Sequence, residues 1–137
     1  MMLDIDHFKL YNDEFGHLAG DEILRGMGET LQSVARRSDF VGRLGGEEFG
    51  VILPETDREG SRVLAERFRT AVEAREGPRR AITVSLGATT LDFDRSVPRP
   101  AAPHVDEILS RADQALYRSK ERGRNCTTHI DDLEPDD

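Results

Sequence analysis

The sequence has no tryptophan, one cysteine and few aromatic residues, which account for 6% of its 137 positions. Because the single cysteine, Cys126, has no partner for an internal disulfide, it fits a reducing compartment such as the cytoplasm. No apolar run approaches the length of a membrane span, and the first residues do not resemble a signal peptide. These absences predict one domain that depends on neither disulfides nor membrane contact.

Positive charge is also in short supply. Lys and Arg number 19 against 27 Asp and Glu, which gives a formal net charge of −8. An acidic surplus spread along the chain argues against general nucleic-acid binding. An anionic substrate would therefore have to be held by local cations, for which Lys9, Lys120 and Arg124 are the candidates.

A Gly-Gly pair, Gly45 and Gly46, lies between two short apolar runs. Glycine accepts the positive φ of tight turns, so the pair predicts a hairpin. Glu47 and Glu48 follow directly, and acidic side chains that approach a core need a cationic partner. Because successive strand residues point to opposite faces, only one of them could reach Asp4 directly. The alternative is a solvated hairpin tip, which this segment alone does not exclude.

A second acidic stretch opens the chain. In residues 1–6, alternation places Leu3 and Ile5 on one strand face and Asp4 and Asp6 on the other. This pattern fits an ordinary amphipathic edge strand. It fits equally a strand whose carboxylate joins a hairpin glutamate to hold Mg²⁺, which prefers oxygen ligands. Spacing alone leaves both interpretations open.

Three motifs in the same order make the chain similar to the GGDEF family, the diguanylate cyclases that make cyclic di-GMP from two GTP molecules. They are Asp-Ile-Asp-His-Phe-Lys at 4–9 with Asn12, Phe15-Gly16-His17 and Gly20-Asp21 after it, Gly-Gly-Glu-Glu-Phe at 45–49, and Lys-x-x-Gly-Arg-Asn at 120–125. The resemblance covers residues 4–125, nearly the whole chain.

The resemblance implies an α+β fold of the palm-like nucleotidyl-cyclase type. Such a fold has a mixed, mainly antiparallel sheet with flanking helices, and the hairpin lies beside the first strand. The order strand, helix, hairpin, helix, strand, helix, strand is compatible with it. We expect a catalytic domain over residues 1–130 and a disordered acidic tail over 131–137.

Periodicity and capping signals predict the individual segments. They are a strand at 1–6, a helix at 21–36, a hairpin at 39–53, a helix from the capping box Thr56-x-x-Glu59, a strand at 81–90, an irregular loop at 92–104, a helix from Val105 to Gly123 and a strand at 126–130. The helices are defined by apolar stripes at Ile23, Leu24, Met27, Leu31 and Val34, at Val63, Leu64, Phe68, Ala71 and Val72, and at Val105, Ile108, Leu109, Ala112 and Leu116.

By resemblance, Asp4, Glu47 and the backbone carbonyl of Ile5 bind Mg²⁺, two ions per site, with Mn²⁺ as an alternative. The metal would assist attack of a GTP 3′-hydroxyl on the α-phosphorus of a second GTP. Glu47 is also the family's usual candidate for the proton acceptor. A metal-bound carboxylate is a poor base, so water or Glu48 stays open for that role. Lys9 would offset charge on the α-phosphate, unless it is a solvated lysine at the strand end.

Guanine recognition falls by resemblance to Asn12 and Asp21. A carboxylate can accept from N1–H and the exocyclic amine of guanine, a pattern that adenine does not offer. Asp21 could instead cap a helix, and Leu24 could be either a base contact or plain core. The remaining substrate contacts implied are His17 and Gly46 on the nucleotide and Lys120 and Arg124 on its terminal phosphates.

The Arg-x-x-Asp pattern formed by Arg36 and Asp39 ends four residues before Arg43. In the GGDEF family this position is an inhibitory site that binds cyclic di-GMP as product, and Arg67 matches a secondary arginine of that site. An arginine forks onto phosphate or guanine, and the aspartate can accept from N1–H. A solvated arginine pair at a helix end is the alternative.

Each GGDEF domain holds one GTP, so the resemblance implies that a homodimer is required for catalysis. The family's upstream helical segment, with its Asp-x-Leu-Thr-x-Leu-x-Asn-Arg motif, is not found in this sequence. Two alternatives therefore stay open: a catalytically silent module that binds GTP or cyclic di-GMP, and a fragment inactive without that segment. A related cyclase making another dinucleotide would turn over ATP as readily as GTP.

Overall fold

The computed structural model describes residues 1–93, 96, 98 and 101–133. Within these residues, no helix is both long and apolar enough to cross a bilayer. The elements are, in chain order, β1 Met2–Ile5, α1 Phe8–Phe15, α2 His17–Val34, β2 Phe40–Gly45, β3 Glu48–Ile52, α3 Arg58–Glu73, β4 Val84–Ala88, α4 Val105–Glu121, β5 Thr127–His129 and a 3₁₀ turn at Ile130–Asp132.

The strands form one sheet in the order β2-β3-β1-β4-β5, in which only β4 and β5 are parallel. Central β1 pairs antiparallel with β3 on one side and with β4 on the other. The β2–β3 hairpin turns at Gly46, whose φ is +47°, and its register shifts between Arg43 and Gly45. The mixed, mainly antiparallel α+β fold is confirmed, with the hairpin beside β1 as expected.

One face of the sheet carries the main core, against which α1, α2 and α3 pack. Leu3 and Ile5 of β1 are 0% and 1% exposed within it. The predicted stripe of α2 is confirmed, since Ile23, Met27 and Leu31 are buried and Leu24 and Val34 pack partly against the core. On α3, Leu64, Phe68 and Val72 are buried, whereas Val63 is 53% exposed, so its predicted place on the inner face is wrong.

Helix α4 packs on the opposite face of the sheet, over β4. A Cβ on Gly87 would overlap the carbonyl oxygen of Ala112 and the amide nitrogen of Leu116. The missing side chain therefore lets the helix backbone lie directly on the strand. Asp4 and Ser85 are paired across β1 and β4, as are Met2 and Gly87, so Asp4 projects toward this α4 face.

The first half of α4 borders an apolar groove of about 910 Å³. In the apolar stripe of α4, Ala112 and Leu116 are buried, whereas Val105 and Leu109 are 64% and 42% exposed. Both of these exposed side chains line the groove together with the outer face of the β2–β3 hairpin. The period of the stripe thus predicts the helix correctly but not the extent of its contact with the sheet.

Helix α1 is absent from the sequence-based prediction, and α2 begins earlier than the predicted Asp21. His7 at the N-cap of α1 is left-handed and contributes no capping hydrogen bond, and Gly16, the N-cap of α2, has no side chain to do so. Neither start therefore carries a capping signal. The N-cap of α3 is Asp57 rather than Thr56, since its carboxylate accepts from the Gly60 amide at 2.8 Å.

The C-terminal segment is fastened to the domain by charge. Asp132 binds Arg58 and Arg62 of α3, and Asp131 binds Arg111 of α4. The acidic tail expected from Asp131 is thus held at its first two residues, and residues 134–137 lie outside the described part of the chain. The irregular loop expected at 92–104 also lies partly outside the described residues.

We expect Gly87→Ala to destabilise the domain by about 2–3 kcal/mol, because the added methyl group overlaps helix backbone that no rotamer change can move. Urea or thermal unfolding measures the loss. Gly42→Ala is the matched control, since Gly42 also lies in a strand but a Cβ there meets nothing within 4 Å. Equal effects of the two changes would contradict the close helix–strand contact.

Candidate functional site

The pairing of β1 with β3 brings both hairpin glutamates to the acidic end of β1. Asp4 is directly opposite Glu48, and opposed residues of an antiparallel pair project from the same face. Glu47 lies in the turn before β3, where its carbonyl oxygen accepts a hydrogen bond from the Ile5 amide at 3.3 Å. Because Glu47 precedes β3, the alternation of side chains between the two faces of the strand does not fix the direction of its side chain.

Asp4 is a buried carboxylate, and Lys120 is its one ion-pair partner among the described residues. Asp4 is 8% exposed, and Nζ of Lys120 lies 3.2 Å from its Oδ2. Burial raises the pKa of Asp4, and the positive charges of Lys120 and Arg124 act in the opposite direction. Asp4 is thus a buried carboxylate whose charged form is favoured by the two cations.

The residues around Asp4 fit a divalent cation. Its carboxylate, a hairpin glutamate and the carbonyl of Ile5 are all hard oxygen donors. Among the described residues, no three His, Cys, Asp or Glu side chains form a metal-binding group. A metal here would therefore complete its shell with backbone oxygen, water and substrate phosphate, an arrangement that Mg²⁺ commonly adopts.

A second cavity, of about 320 Å³, lies between α2 and the hairpin. It is lined by Asp21, Leu24, Arg25 and Arg43, so two of the side chains predicted to contact guanine share one pocket. Sequence reasoning did not identify Arg25 or Arg43 as pocket residues. Arg25 follows Asp21 by one helical turn, and Nε of Arg43 donates to the carbonyl of Gly46 at 2.9 Å.

Asn12, the other predicted guanine contact, packs against the first turn of α2. A Cβ on Gly20 would overlap Oδ1 of Asn12, so the position of this side chain depends on the glycine beside Asp21. Oδ1 is buried and has no hydrogen-bond partner among the described residues. Since buried polar atoms are nearly always satisfied, this oxygen is suited to accept from a ligand.

The remaining predicted substrate residues surround these two centres. Lys120 lies in the last turn of α4 and Arg124 lies in the turn that follows it. The positive charges of both lower the pKa of Asp4. Lys9 and His17 are exposed in α1 and at the start of α2, and Gly46 forms the hairpin turn. The structure thus places Lys120 and Arg124 beside Asp4, whereas no side-chain contact within the described residues fixes Lys9 or His17 there.

The predicted inhibitory pair forms an ion pair. Nη2 of Arg36 lies 2.8 Å from Oδ1 of Asp39, and it also donates to Oγ1 of Thr56 at 2.7 Å. The hydrogen bonds from Arg36 hold the pKa of Asp39 below its usual range. Arg67 is exposed on α3. Arg36 and Asp39 are therefore fixed relative to each other, whereas Arg67 extends from the exposed surface of α3.

The fold is that of a nucleotidyl-cyclase type of domain, and comparison with known proteins identifies the family. The sequence profile described as "Diguanylate cyclase, GGDEF domain" matches residues 1–126. The chain therefore belongs to the GGDEF domain family.

The similarity extends to characterised members. The chain is 44% identical over 128 residues to the diguanylate cyclase DgcP of Pseudomonas aeruginosa, a match that covers 90% of this chain and only 18% of that protein. The GGDEF domain of DgcB from Caulobacter crescentus, solved with c-di-GMP, superposes with a TM-score of 0.82 at 36% identity over 95% of this chain and 75% of that one. The active GGEEF domain of a Vibrio cholerae diguanylate cyclase also gives 0.82 at 36% identity, over 94% and 80% of the two chains.

We expect Gly20→Ala to weaken GTP binding about fivefold, since a methyl group at this position displaces the Asn12 amide and one good hydrogen bond is worth about 1 kcal/mol. Isothermal titration calorimetry measures the affinity. Gly28→Ala in the same helix is the control, because a Cβ there meets nothing within 4 Å. Unchanged GTP affinity in Gly20→Ala would show that Asn12 does not contact the nucleotide.

Proposed function

We propose that this domain is a diguanylate cyclase, which condenses two GTP molecules into cyclic di-GMP and releases two pyrophosphates. The observation that carries the proposal is the position of Asp4, buried at the end of β1 with Lys120 at 3.2 Å and the glutamate hairpin paired beside it. Family membership and the relatives named as diguanylate cyclases support it.

Asp4, Glu47 and the carbonyl of Ile5 would hold the divalent metal on which GGDEF cyclases generally depend. We assign Mg²⁺, two ions per site, with Mn²⁺ as an alternative, because hard oxygen donors suit both. Bound there, the metal would lower the pKa of the attacking 3′-hydroxyl and offset charge on the phosphates. Glu48, on the same face as Asp4, is the alternative to Glu47 as proton acceptor, since a carboxylate that binds metal is a weaker base.

The guanine base would occupy the cavity beside α2. Asp21 would accept from N1–H and the exocyclic amine, and the unpaired Oδ1 of Asn12 is well suited to accept a further hydrogen bond from the base. Leu24 would pack on the ring, and the exposed His17 would contact the nucleotide from the start of α2. Adenine lacks this donor pattern, so the site would select GTP over ATP.

The phosphates would lie between this cavity and Asp4, along the hairpin turn at Gly46. Lys120 and Arg124 would bind the terminal phosphates, and Lys9 would offset the charge that develops on the α-phosphate. When GTP and metal bind, Lys120 would exchange Asp4 for a phosphate oxygen. The pair seen at 3.2 Å would thus offset the charge of Asp4 before that exchange.

One domain positions one GTP, so the reaction would take place between two copies of the domain that face each other in a homodimer. Neither nucleic acid nor membrane is a partner in this scheme. The single cysteine and the cytoplasmic nucleotide substrate favour a cytoplasmic location. Cyclic di-GMP would also bind at Arg36, Asp39 and Arg67 and inhibit the enzyme, in line with the complex formed by the related DgcB domain.

Pyrophosphate release from GTP and Mg²⁺ tests the cyclase proposal. We expect the rate to rise faster than linearly with protein concentration, because two domains must meet, and to fall at least about a hundredfold in Glu47→Gln, as when a transition-state electrostatic contact is lost. ATP should give no comparable release. Binding of cyclic di-GMP without pyrophosphate release would instead show a silent binding module, and equal turnover of ATP would refute the guanine assignment.

Product inhibition has its own test. In Arg36→Ala or Asp39→Ala, the concentration of cyclic di-GMP that halves the initial rate should rise at least about tenfold, since each change removes a charge-assisted contact to the ligand. Arg37→Ala is the matched control, because the neighbouring arginine lies outside the Arg-x-x-Asp pattern. Inhibition that is unaltered in both site variants would remove the inhibitory site from this domain.

A further inference from the structure

The turn that follows α4 has an unfavourable backbone conformation. Gly123, Arg124 and Asn125 have φ values of +107°, +65° and +45°. Glycine adopts such values without strain, whereas consecutive left-handed residues with side chains cost conformational free energy. A turn of this kind persists only where surrounding contacts hold it, and such turns are concentrated at functional sites.

The backbone of the turn is held by Asp6, the residue directly after β1. The Asn125 amide donates to Oδ2 of Asp6 at 3.0 Å. The same carboxylate accepts from the hydroxyl groups of Thr83 and Ser85, both at 2.7 Å. Asp6 is only 6% exposed, so its charge is satisfied by three donors from two other segments of the chain. With these three hydrogen bonds in place, Asp6 is not available as a metal ligand.

The side chain of Asn125 is held from α3. Its Nδ2 donates to Oε1 of Glu73 at 2.8 Å, and its Oδ1 accepts from Nη1 of Arg69 at 2.8 Å. Arg69 also pairs with Glu73 at 2.8 Å, which closes a three-residue ring. Asn125 is therefore clamped at its backbone by Asp6 and at its side chain by α3.

This clamp adjoins the chain segment that carries the two cations assigned to the phosphates. Arg124 immediately precedes Asn125, and Lys120 lies in the last turn of α4, 3.2 Å from Asp4. Asp6 is two residues from Asp4 on the same chain segment. The contact from Asp6 to Asn125 therefore fixes the cationic turn relative to the strand that carries the metal-site carboxylate.

We propose that Asp6 and Asn125 are positioning residues that hold Arg124 and Lys120 in register with the triphosphate of the nucleotide. The proposal rests on the proposed function for the phosphate role of these two cations. It predicts that loss of the clamp weakens recognition of the β- and γ-phosphates while recognition of the base is retained.

The test compares 3′-deoxy-GTP, which binds but lacks the attacking hydroxyl, with GMP, which lacks the terminal phosphates. Their dissociation constants are measured by calorimetry with Mg²⁺ for the full chain and its variants. Asn125→Gly keeps the backbone conformation and the amide donor but removes the α3 contacts, and we expect it to weaken 3′-deoxy-GTP about tenfold and GMP by less than twofold. Asp6→Ala should likewise weaken 3′-deoxy-GTP much more than GMP. Asp6→Asn, which retains one acceptor oxygen, should recover part of the lost affinity for 3′-deoxy-GTP.

Glu66→Gln is the matched control. Glu66 binds Arg69 from the same helix at 2.6 Å but is not part of the Asn125 ring, so this change should leave both affinities unaltered. A merely structural role for the clamp would lower the melting temperature and change both affinities equally. Equal losses for the two ligands, or no loss in Asn125→Gly, would overturn the proposal.

Lys120→Gln and Arg124→Gln separate this inference from the proposed function. If these variants bind 3′-deoxy-GTP as tightly as the unmodified chain, the phosphate assignment itself fails. If they bind it weakly while Asn125→Gly and Asp6→Ala do not, only the positioning role fails. Should Asp6→Ala not fold, Asn125→Gly decides alone, since its turn is on the surface and its backbone conformation suits glycine.

Discussion

The site depends on the pairing of β1 with a strand on each side. β1 is four residues long and lies between the hairpin and β4, so its position is set by two ladders of backbone hydrogen bonds. One ladder brings the glutamate hairpin to Asp4. The other brings β4, and Gly87 in β4 admits α4, whose last turn carries Lys120. Acidic and cationic groups from distant parts of the chain therefore meet at the end of one strand.

Both faces of β1 are buried. Burial of Asp4 in the strand and of Asp6 directly after it costs folding free energy unless each carboxylate has hydrogen-bond donors or a cation beside it. Asp6 accepts three hydrogen bonds from neutral donors, which compensate for the burial of its charge. Asp4 has the Lys120 ammonium as its close partner, and burial raises its pKa. A buried carboxylate with one exchangeable partner gains most from an added cation. The Asp-Ile-Asp pattern thus contains one aspartate, Asp6, that is held by hydrogen bonds and another, Asp4, whose cationic partner can be exchanged. This difference agrees with the proposed roles, in which Asp6 positions the turn after α4 and Asp4 binds the metal.

Parts of this arrangement follow from the sequence. The alternation of residues 1–6 predicts β1, the Gly-Gly pair predicts the hairpin, and three apolar stripes predict α2, α3 and α4. The pairing of the strands, and thus the meeting of Asp4 with the hairpin, is implied only by the family resemblance. The domain bounds and the roles of individual site residues stay predictions.

Other parts could not be predicted because they depend on tertiary contacts. The register shift between Arg43 and Gly45 makes Gly45 the partner of Glu48 in the hairpin and leaves Glu47 in the turn. No local signal marks that shift. Thr56 is a plausible cap by pattern, but its hydroxyl accepts from Arg36 across the domain, so the neighbouring Asp57 caps α3 instead. The roles of Asp6 and Asn125 require a contact across 119 positions of the chain.

The ion pairs of the arginines show how the net negative charge of the chain affects anion binding. Several arginines are engaged in ion pairs that fasten one element to another, including Arg58 and Arg62 with the C-terminal aspartates and Arg69 with Glu66 and Glu73. Such pairs neutralise positive charge and leave little general attraction for an anion. Recruitment of a triphosphate by a chain of net charge −8 must therefore rely on cations at fixed positions. In the proposed site these are Lys120, Arg124 and a divalent metal at Asp4, so the geometry of the turn after α4 would matter more for binding than the total number of basic residues.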